Sequence, residues 1–268
     1  MNLPETIHLH PTTELAERVL LPGDPGRALA LAQLLLEKPL MFNHNRGLWG
    51  YTGKAADGEL LTVQSTGMGG PSAAIVLHEL IALGVKRAIR VGTCGALDPE
   101  LGIGDLVAVR EAIAADGTSS ALMGVAMTEG AAGAISAEGG LARAREIRRS
   151  PPSRARAHAR ESLLNRIHHA LSGYERKVHE DATIVSTDLF YDPHEGRNGE
   201  WLAEGAIAVE MEASALFAVG ERAGIEVACL LTVSDTFDAD GHRTRIEDHA
   251  LVEAAEAMGR AATAALAG

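Results

Sequence analysis

Short apolar runs that stop at tight polar turns and give way to helical stretches restrict this chain to an α/β architecture. Val19–Leu21 ends in Pro22-Gly23-Asp24-Pro25-Gly26-Arg27, and an apolar helical pattern follows from Ala28 to Leu36. Leu60–Ser65 ends in Thr66-Gly67-Met68-Gly69-Gly70-Pro71-Ser72, ahead of a helical pattern from Ala73 to Leu83. Ala206–Ala208 leads through Val209-Glu210-Met211-Glu212-Ala213-Ser214 into Ala215–Val219. Strand, turn and helix in that order form the βα unit of a sheet covered by helices. Further strands are expected at Trp49–Thr52, Ala88–Val91, Asp105–Ile113, Ala182–Val185 and Val227–Val233, with helices at Leu163–Leu171 and Glu247–Leu266. The expected fold is one α/β domain over residues 1–268, with a central mixed β-sheet flanked by helices. A chain of that length can bury one large core. Only 3% of it is aromatic, so that core must be built from Ala, Leu, Val and Ile.

A formal net charge of -12 argues against non-specific nucleic-acid binding, and any anionic ligand needs a local cluster of Arg residues. No apolar run approaches the ~20 residues that span a bilayer. Met1–Glu5 lacks a basic start followed by an apolar segment, so a cytoplasmic protein is expected. Cys94 and Cys229 lie in apolar strand-like runs and read as buried, reduced thiols. His8/His10 and His168/His169 lack further ligands at matching spacing, so no metal is expected.

The turns carry the chemistry. Glu210 and Glu212 stand at the carboxyl end of a buried strand, where open sheets place ligands. They either accept hydrogen bonds from vicinal hydroxyls or start a helix whose positive end favours acids. Arg90 lies inside a β-branched strand and is followed by Gly92-Thr93. A buried Arg there needs an anion or an internal acid. The Gly23-Asp24-Pro25 turn with Arg27 is a second anion site or an ordinary turn. Gly67-Met68-Gly69-Gly70 lacks the P-loop ending and the G-x-G-x-x-G spacing, which excludes a Walker-type NTPase. Phe190-Tyr191, in the exit loop after Val185, form a stacking wall or part of the core. Ser234-Asp235 places an acid at the tip of an apolar strand. From Ser120 to Ala159 Ala and Gly crowd first, and then Arg143, Arg145, Arg148, Arg149, Arg154, Arg156 and Arg160 gather around Pro151-Pro152. Without interleaved aromatics, that run reads as a solvated helix face or a mobile loop.

Taken in order, these segments and Asn45-Arg46-Gly47 resemble the trimeric/hexameric nucleoside phosphorylases, closest to the bacterial purine-cleaving type. The resemblance covers nearly all of the chain apart from residues 120–159, and it implies a pentosyltransferase with inorganic phosphate as co-substrate and no cofactor. It implies that Gly23, Arg27, Arg90 and Thr93 hold phosphate, and that Met68 lies at the substrate. Met211 and Glu212 would hold the ribose, and Phe190 and Val209 would flank the base. Glu210 belongs to the same pocket, with an internal Arg pair as its expected role. His8 and Arg46 would come from a neighbouring subunit of a homo-oligomer, expected to be a hexamer. Asp235 would be the general acid at the departing purine, helped by Arg243 or Arg245. Arg197 keeps a uridine-cleaving reading open, and a methylthioadenosine-type nucleosidase is the rival on the same fold.

Overall fold

The computed structural model describes residues 6–124, 154–174, 176–237 and 242–267. The strands are β1 (Arg18–Leu21), β2 (Glu37–Asn43), β3 (Gly50–Lys54), β4 (Leu60–Gln64), β5 (Arg87–Ala96) and β6 (Leu106–Ala115). They continue with β7 (Arg156–His158), β8 (Val178–Thr187), β9 (Ala208–Glu210), β10 (Glu226–Phe237) and β11 (Arg243–Arg245). The helices are α1 (Pro25–Leu35), α2 (Gly70–Ala82), α3 (Gly117–Leu122), α4 (Glu161–Leu171), α5 (Arg197–Ala203), α6 (Ala213–Ala223) and α7 (Asp248–Leu266). Together they form the mixed, helix-flanked sheet expected from the sequence.

Its topology adds something the sequence did not announce. β5 pairs with β10, β10 with β6, β6 with β8, β8 with β9, and β9 again with β5, so five strands close into a ring. β1, β4, β3 and β2 extend the sheet outward from β5. Residues alternate between two apolar layers, as a strand covered on both faces requires. On β10, Val227, Cys229 and Leu231 face the side packed by α2 and α6, whereas Ala228 and Leu230 face α1, α4 and α7. Arg90 shares the register phase of Ala88, which belongs to the α2/α6 side.

Register then sets the positions of the polar turns. Gly95, near the end of β5, lies opposite Val209 on one flank and Asp235 on the other. Arg90 lies opposite Leu21, the last residue of β1, which Pro22 joins to the Gly-Asp-Pro turn. Segments separated by more than a hundred residues therefore meet around one strand end.

Helix α1 begins earlier than the apolar pattern indicated because Asp24 caps it. The Asp24 Oδ1 accepts the Arg27 N–H at 2.7 Å, and Pro25 fills the first turn where its missing N–H costs nothing. Strand β2 escaped location because Lys38 and Pro39 belong to an edge strand, not to an alternating one. Strands β7 and β11 are too short to display a period. In the described part of the Arg-rich run, Arg156 lies in β7, whereas Arg154 and Arg160 lie outside strand and helix on either side of it. Arg156 binds Glu111, and Arg154 binds Glu204. Arg143, Arg145, Arg148, Arg149 and the Pro151-Pro152 pair lie outside the described residues. Cys94 and Cys229 are buried free thiols, and no described helix is long and apolar enough to cross a membrane.

Candidate active site

A cavity of about 710 Å³ opens where β5, β9 and β10 converge. Its centre is a buried cluster of one guanidinium and two carboxylates. Arg90 Nε donates to Glu210 Oε2 at 2.9 Å, and Arg90 Nη2 lies 2.5 Å from Glu212 Oε2. All three residues are at most 5% exposed. Gly92 makes this possible, because a Cβ at that position would sit 2.8 Å from the Arg90 guanidinium carbon. Burial alone would weaken the hold of Arg90 on its proton, but Glu212 and Glu210 outweigh it and push its pKa up. Two acids against one base leave a negative charge in excess. Burial, with Glu210 adding to it against the pull of Arg90, therefore raises the Glu212 carboxyl above its ordinary range.

The two carboxylates do different work. Both Glu210 oxygens are spent inside the protein, on Arg90, the Ser186 hydroxyl and the N–H groups of Glu212 and Ala213. This matches the internal pairing expected for Glu210 and gives it the task of holding the α6 start. Glu212 receives the Gly69 N–H on Oε1 and Arg90 on Oε2, and each oxygen keeps a lone pair for a ligand. Gly69 directs that N–H from a left-handed φ of 85°, which suits glycine.

Arg27, at the start of α1, makes no hydrogen bond through its guanidinium to the described residues. Burial lowers its pKa, Asp24 and Glu212 pull it back up, and Arg90 pushes it down, so the two guanidinium groups share one electrostatic site. Arg90 Nη1 is buried and has no hydrogen-bond partner among the described residues. Gly23 and Thr93 line the cavity beside these two arginines, and together they form a donor set suited to an anion.

At the other end, Asp235 is held from both sides. Ser234 Oγ donates to its Oδ2 and Arg243 Nε to its Oδ1, each at 2.7 Å. The Arg243 guanidinium also lies 5.1 Å from the centre of the Phe190 ring, a cation–π contact that links the aromatic loop to β11. Arg245 is exposed and does not line the cavity, although it faces Asp235 in the β10–β11 register. Phe190 and Tyr191 are 58% and 87% exposed, which makes them a wall of the cavity and not core. Val209, Met211 and the 85% exposed Met68 complete the lining that the sequence anticipated.

His8 and Arg46 are not brought into this cavity. His8 Nδ1 is 2.7 Å from Glu79, which also receives the N–H groups of Ile7, His8 and Leu9. Arg46 is exposed in a left-handed turn, and its neighbour Asn45 donates to the His8 carbonyl. The two residues thus share one surface patch. Arg197, the residue that kept pyrimidines in view, donates to Asp192 at 3.2 Å. Sequence reasoning did not find Ser186, which holds Glu210, nor Asp116 and Ser119, which anchor Ser214 at the α6 start. Isolated Ser and Asp residues carry no pattern until the fold pairs them.

The profile of the phosphorylase superfamily matches residues 17–267. The chain belongs to that superfamily. Within it, the chain is 36% identical over 239 residues to a DeoD-type purine nucleoside phosphorylase of Caldanaerobacter subterraneus subsp. tengcongensis, covering 88% of this chain and 89% of the relative. A similarly named protein of Clostridium beijerinckii is 34% identical over 248 residues, 92% of each chain. One of Geobacillus kaustophilus is 36% identical over 225 residues, 84% and 83% of the two chains. The range matched by the profile takes in β5, β9 and β10, the strands around the cavity.

Proposed function

We propose that this chain is a purine nucleoside phosphorylase, which converts a purine ribo- or deoxyribonucleoside and inorganic phosphate into free base and pentose 1-phosphate. The observation that carries this reading is one cavity with three kinds of group in order: guanidinium donors without a partner among the described residues, a diol-ready carboxylate, and a clamped acid. The relatives named above bear the same activity in their names.

In the proposed reaction phosphate sits on Arg27, Arg90 Nη1, Gly23 and Thr93. The ribose 2′- and 3′-hydroxyls donate to Glu212 over Met211, with Met68 at the cavity mouth. A phosphate oxygen bonds to C1′ as the C1′–N9 bond breaks, and the released electron pair moves into the base. Positive charge on the sugar is stabilised by the phosphate dianion, and negative charge on the base by a proton passed to N7 from Asp235 in its acid form, which leaves the carboxylate that Ser234 and Arg243 hold. Arg243, bonded to Asp235 and stacked on Phe190, keeps that acid aimed at a base lying between Phe190 and Val209. Arg243, not Arg245, is the assisting arginine in this reading. Phosphate is the sole co-substrate, with no cofactor or metal.

His8 and Arg46, paired on one patch away from their own cavity, are proposed to complete the site of a neighbouring subunit in a homo-oligomer, a hexamer in the full assembly. The whole chain is read as one domain acting in the cytoplasm, in purine salvage, where two buried free thiols stay reduced. The test is base release from inosine, adenosine, guanosine and uridine with and without phosphate. Purine release that requires phosphate is expected. Release of base in phosphate-free buffer would make the protein a hydrolase, and preferential cleavage of uridine would make it a pyrimidine enzyme.

A further inference from the structure

Asp116, at the end of β6, is 3% exposed, and no basic side chain among the described residues pairs with it. A carboxylate buried without a cation is costly, so the groups that it binds carry information. One oxygen serves its own helix: Oδ1 accepts the Ser119 N–H at 2.7 Å and caps α3. The other oxygen reaches across the fold. Oδ2 accepts the Ser214 hydroxyl at 2.8 Å, from the first turn of α6 and 98 positions away. Because Ser214 gives its single hydroxyl hydrogen to Asp116, the Ser119 hydroxyl is the donor in the 2.6 Å contact between the two serines. Asp116 also abuts α2, since a Cβ at Gly70 would come within 3.2 Å of Oδ1. The starts of α2, α3 and α6 thus converge on one carboxylate, and their positive ends offset its charge.

Two of these helix starts hold the carboxylates of the cavity. Gly69, just before α2, gives its N–H to Glu212 Oε1, and Glu212 itself immediately precedes α6. The Ser214 N–H donates to Ser186 Oγ at 3.0 Å, and the Ser186 hydroxyl donates to Glu210. The reach from Gly69 to Glu212 therefore depends on how the α2 and α6 starts are held together. Capping α3 needs one oxygen only, and Asn caps a helix as well as Asp does. The second oxygen of Asp116 is spent on the α6 start.

We propose that Asp116 is a positioning residue for the ribose carboxylate: through Ser214 it fixes the α6 start against the α2 start and so sets the place of Glu212. Asp116 does not line the cavity and touches no substrate. The proposal rests on the phosphorylase reading, in which Glu212 receives the ribose hydroxyls. Loosening the brace should then weaken recognition of those hydroxyls more than it weakens the rest of the site.

The test uses whichever of inosine and adenosine is cleaved faster, together with its 2′,3′-dideoxy counterpart, in saturating phosphate. The ratio of their kcat/KM values is measured for the unmodified protein, Asp116→Asn, Ser214→Ala and the double variant. Asn keeps the α3 cap and presents an amide where Ser214 needs an acceptor, and Ala removes the hydroxyl at the other end. Each single variant should lower the ribo-to-dideoxy ratio about five- to tenfold, the worth of one buried hydrogen bond. The double variant should fall no further, because both changes cut the same bond. A residue that only supported the fold would lower the melting temperature or the active fraction and leave the ratio in place. An unmoved ratio in the folded variants overturns the proposal, as does a double variant whose loss is the product of the two single losses. If Asp116→Asn does not fold, Ser214→Ala decides alone, since it leaves the α3 cap intact. If the unmodified protein cleaves no purine nucleoside in phosphate, the phosphorylase reading fails and this role falls with it. Cleavage with an unmoved ratio removes only the role of Asp116.

Discussion

Glu212→Gln should separate function from stability, because Glu212 is the surplus charge of a buried cluster. Arg90 faces both Glu210 and Glu212, so within hydrogen-bond reach two negative charges meet one positive, and Arg27 acts on Glu212 only through space. Removing one partner of a buried pair normally costs ~3–5 kcal/mol because the other is stranded. Here Arg90 keeps Glu210, and a Gln oxygen can still accept the Gly69 N–H. The melting temperature at pH 8 should therefore stay within about 3 °C of the parent or rise above it. The sign with pH follows from the raised Glu212 carboxyl. A folded-state pKa above the unfolded one means that the folded form holds the proton more tightly. The associated stability is present at low pH and is lost as pH rises through the folded pKa. In the Gln variant that decline should flatten. Activity should move the other way. Losing a charge-assisted bond to ribose is worth roughly 1.5–3 kcal/mol, or about 10- to 150-fold in kcat/KM. The loss should be smaller with a 2′,3′-dideoxynucleoside, which has no hydroxyls to bind. Thermal melts from pH 5 to 8 and phosphorolysis of both substrates provide the assay. A fall in melting temperature of more than about 5 °C, or unchanged activity on ribonucleosides, would refute the charge-excess argument.

Asp235→Asn should cost about 10²–10⁴ in kcat with a natural purine nucleoside and little with a substrate whose leaving group needs no proton, measured by base release. Arg243→Leu should follow it in part, whereas Arg245→Leu should remain near parental activity; equal losses in the two would dissolve the assignment of Arg243. Arg90→Met strands two buried carboxylates and should lower stability by ~3–5 kcal/mol, a drop of roughly 6–20 °C in a thermal melt. Arg27→Ala should raise the KM for phosphate at least tenfold while leaving the melt unchanged, since its guanidinium supports no described contact.

Much of this molecule was legible from local pattern. The βα turns at Gly23, Gly69 and Glu210, the buried polar residue Arg90 and the strand-tip Asp235 each break the apolar grammar of the segment that carries them. Burying a charge is costly enough that such breaks rarely occur without a use. Composition likewise indicated an Ala-, Leu-, Val- and Ile-rich core, and the fully buried side chains are mostly of those types.

Pairing was not legible. The sequence could place two acids beside Met211, but only the fold decides that Glu210 is consumed by Arg90, Ser186 and the α6 start while Glu212 keeps room for a ligand. It offered Arg243 and Arg245 equally. The β10–β11 ladder sets Arg245 opposite Asp235, yet it is the Arg243 side chain that donates to Asp235 and lines the cavity. The physical reason is common to these cases. Hydrophobic periodicity and turn chemistry act between residues a few positions apart, and so they are written into the chain. Hydrogen bonds and charge pairs in the site join residues such as Arg90 and Glu210 across more than a hundred positions, and only strand register sets which of them meet.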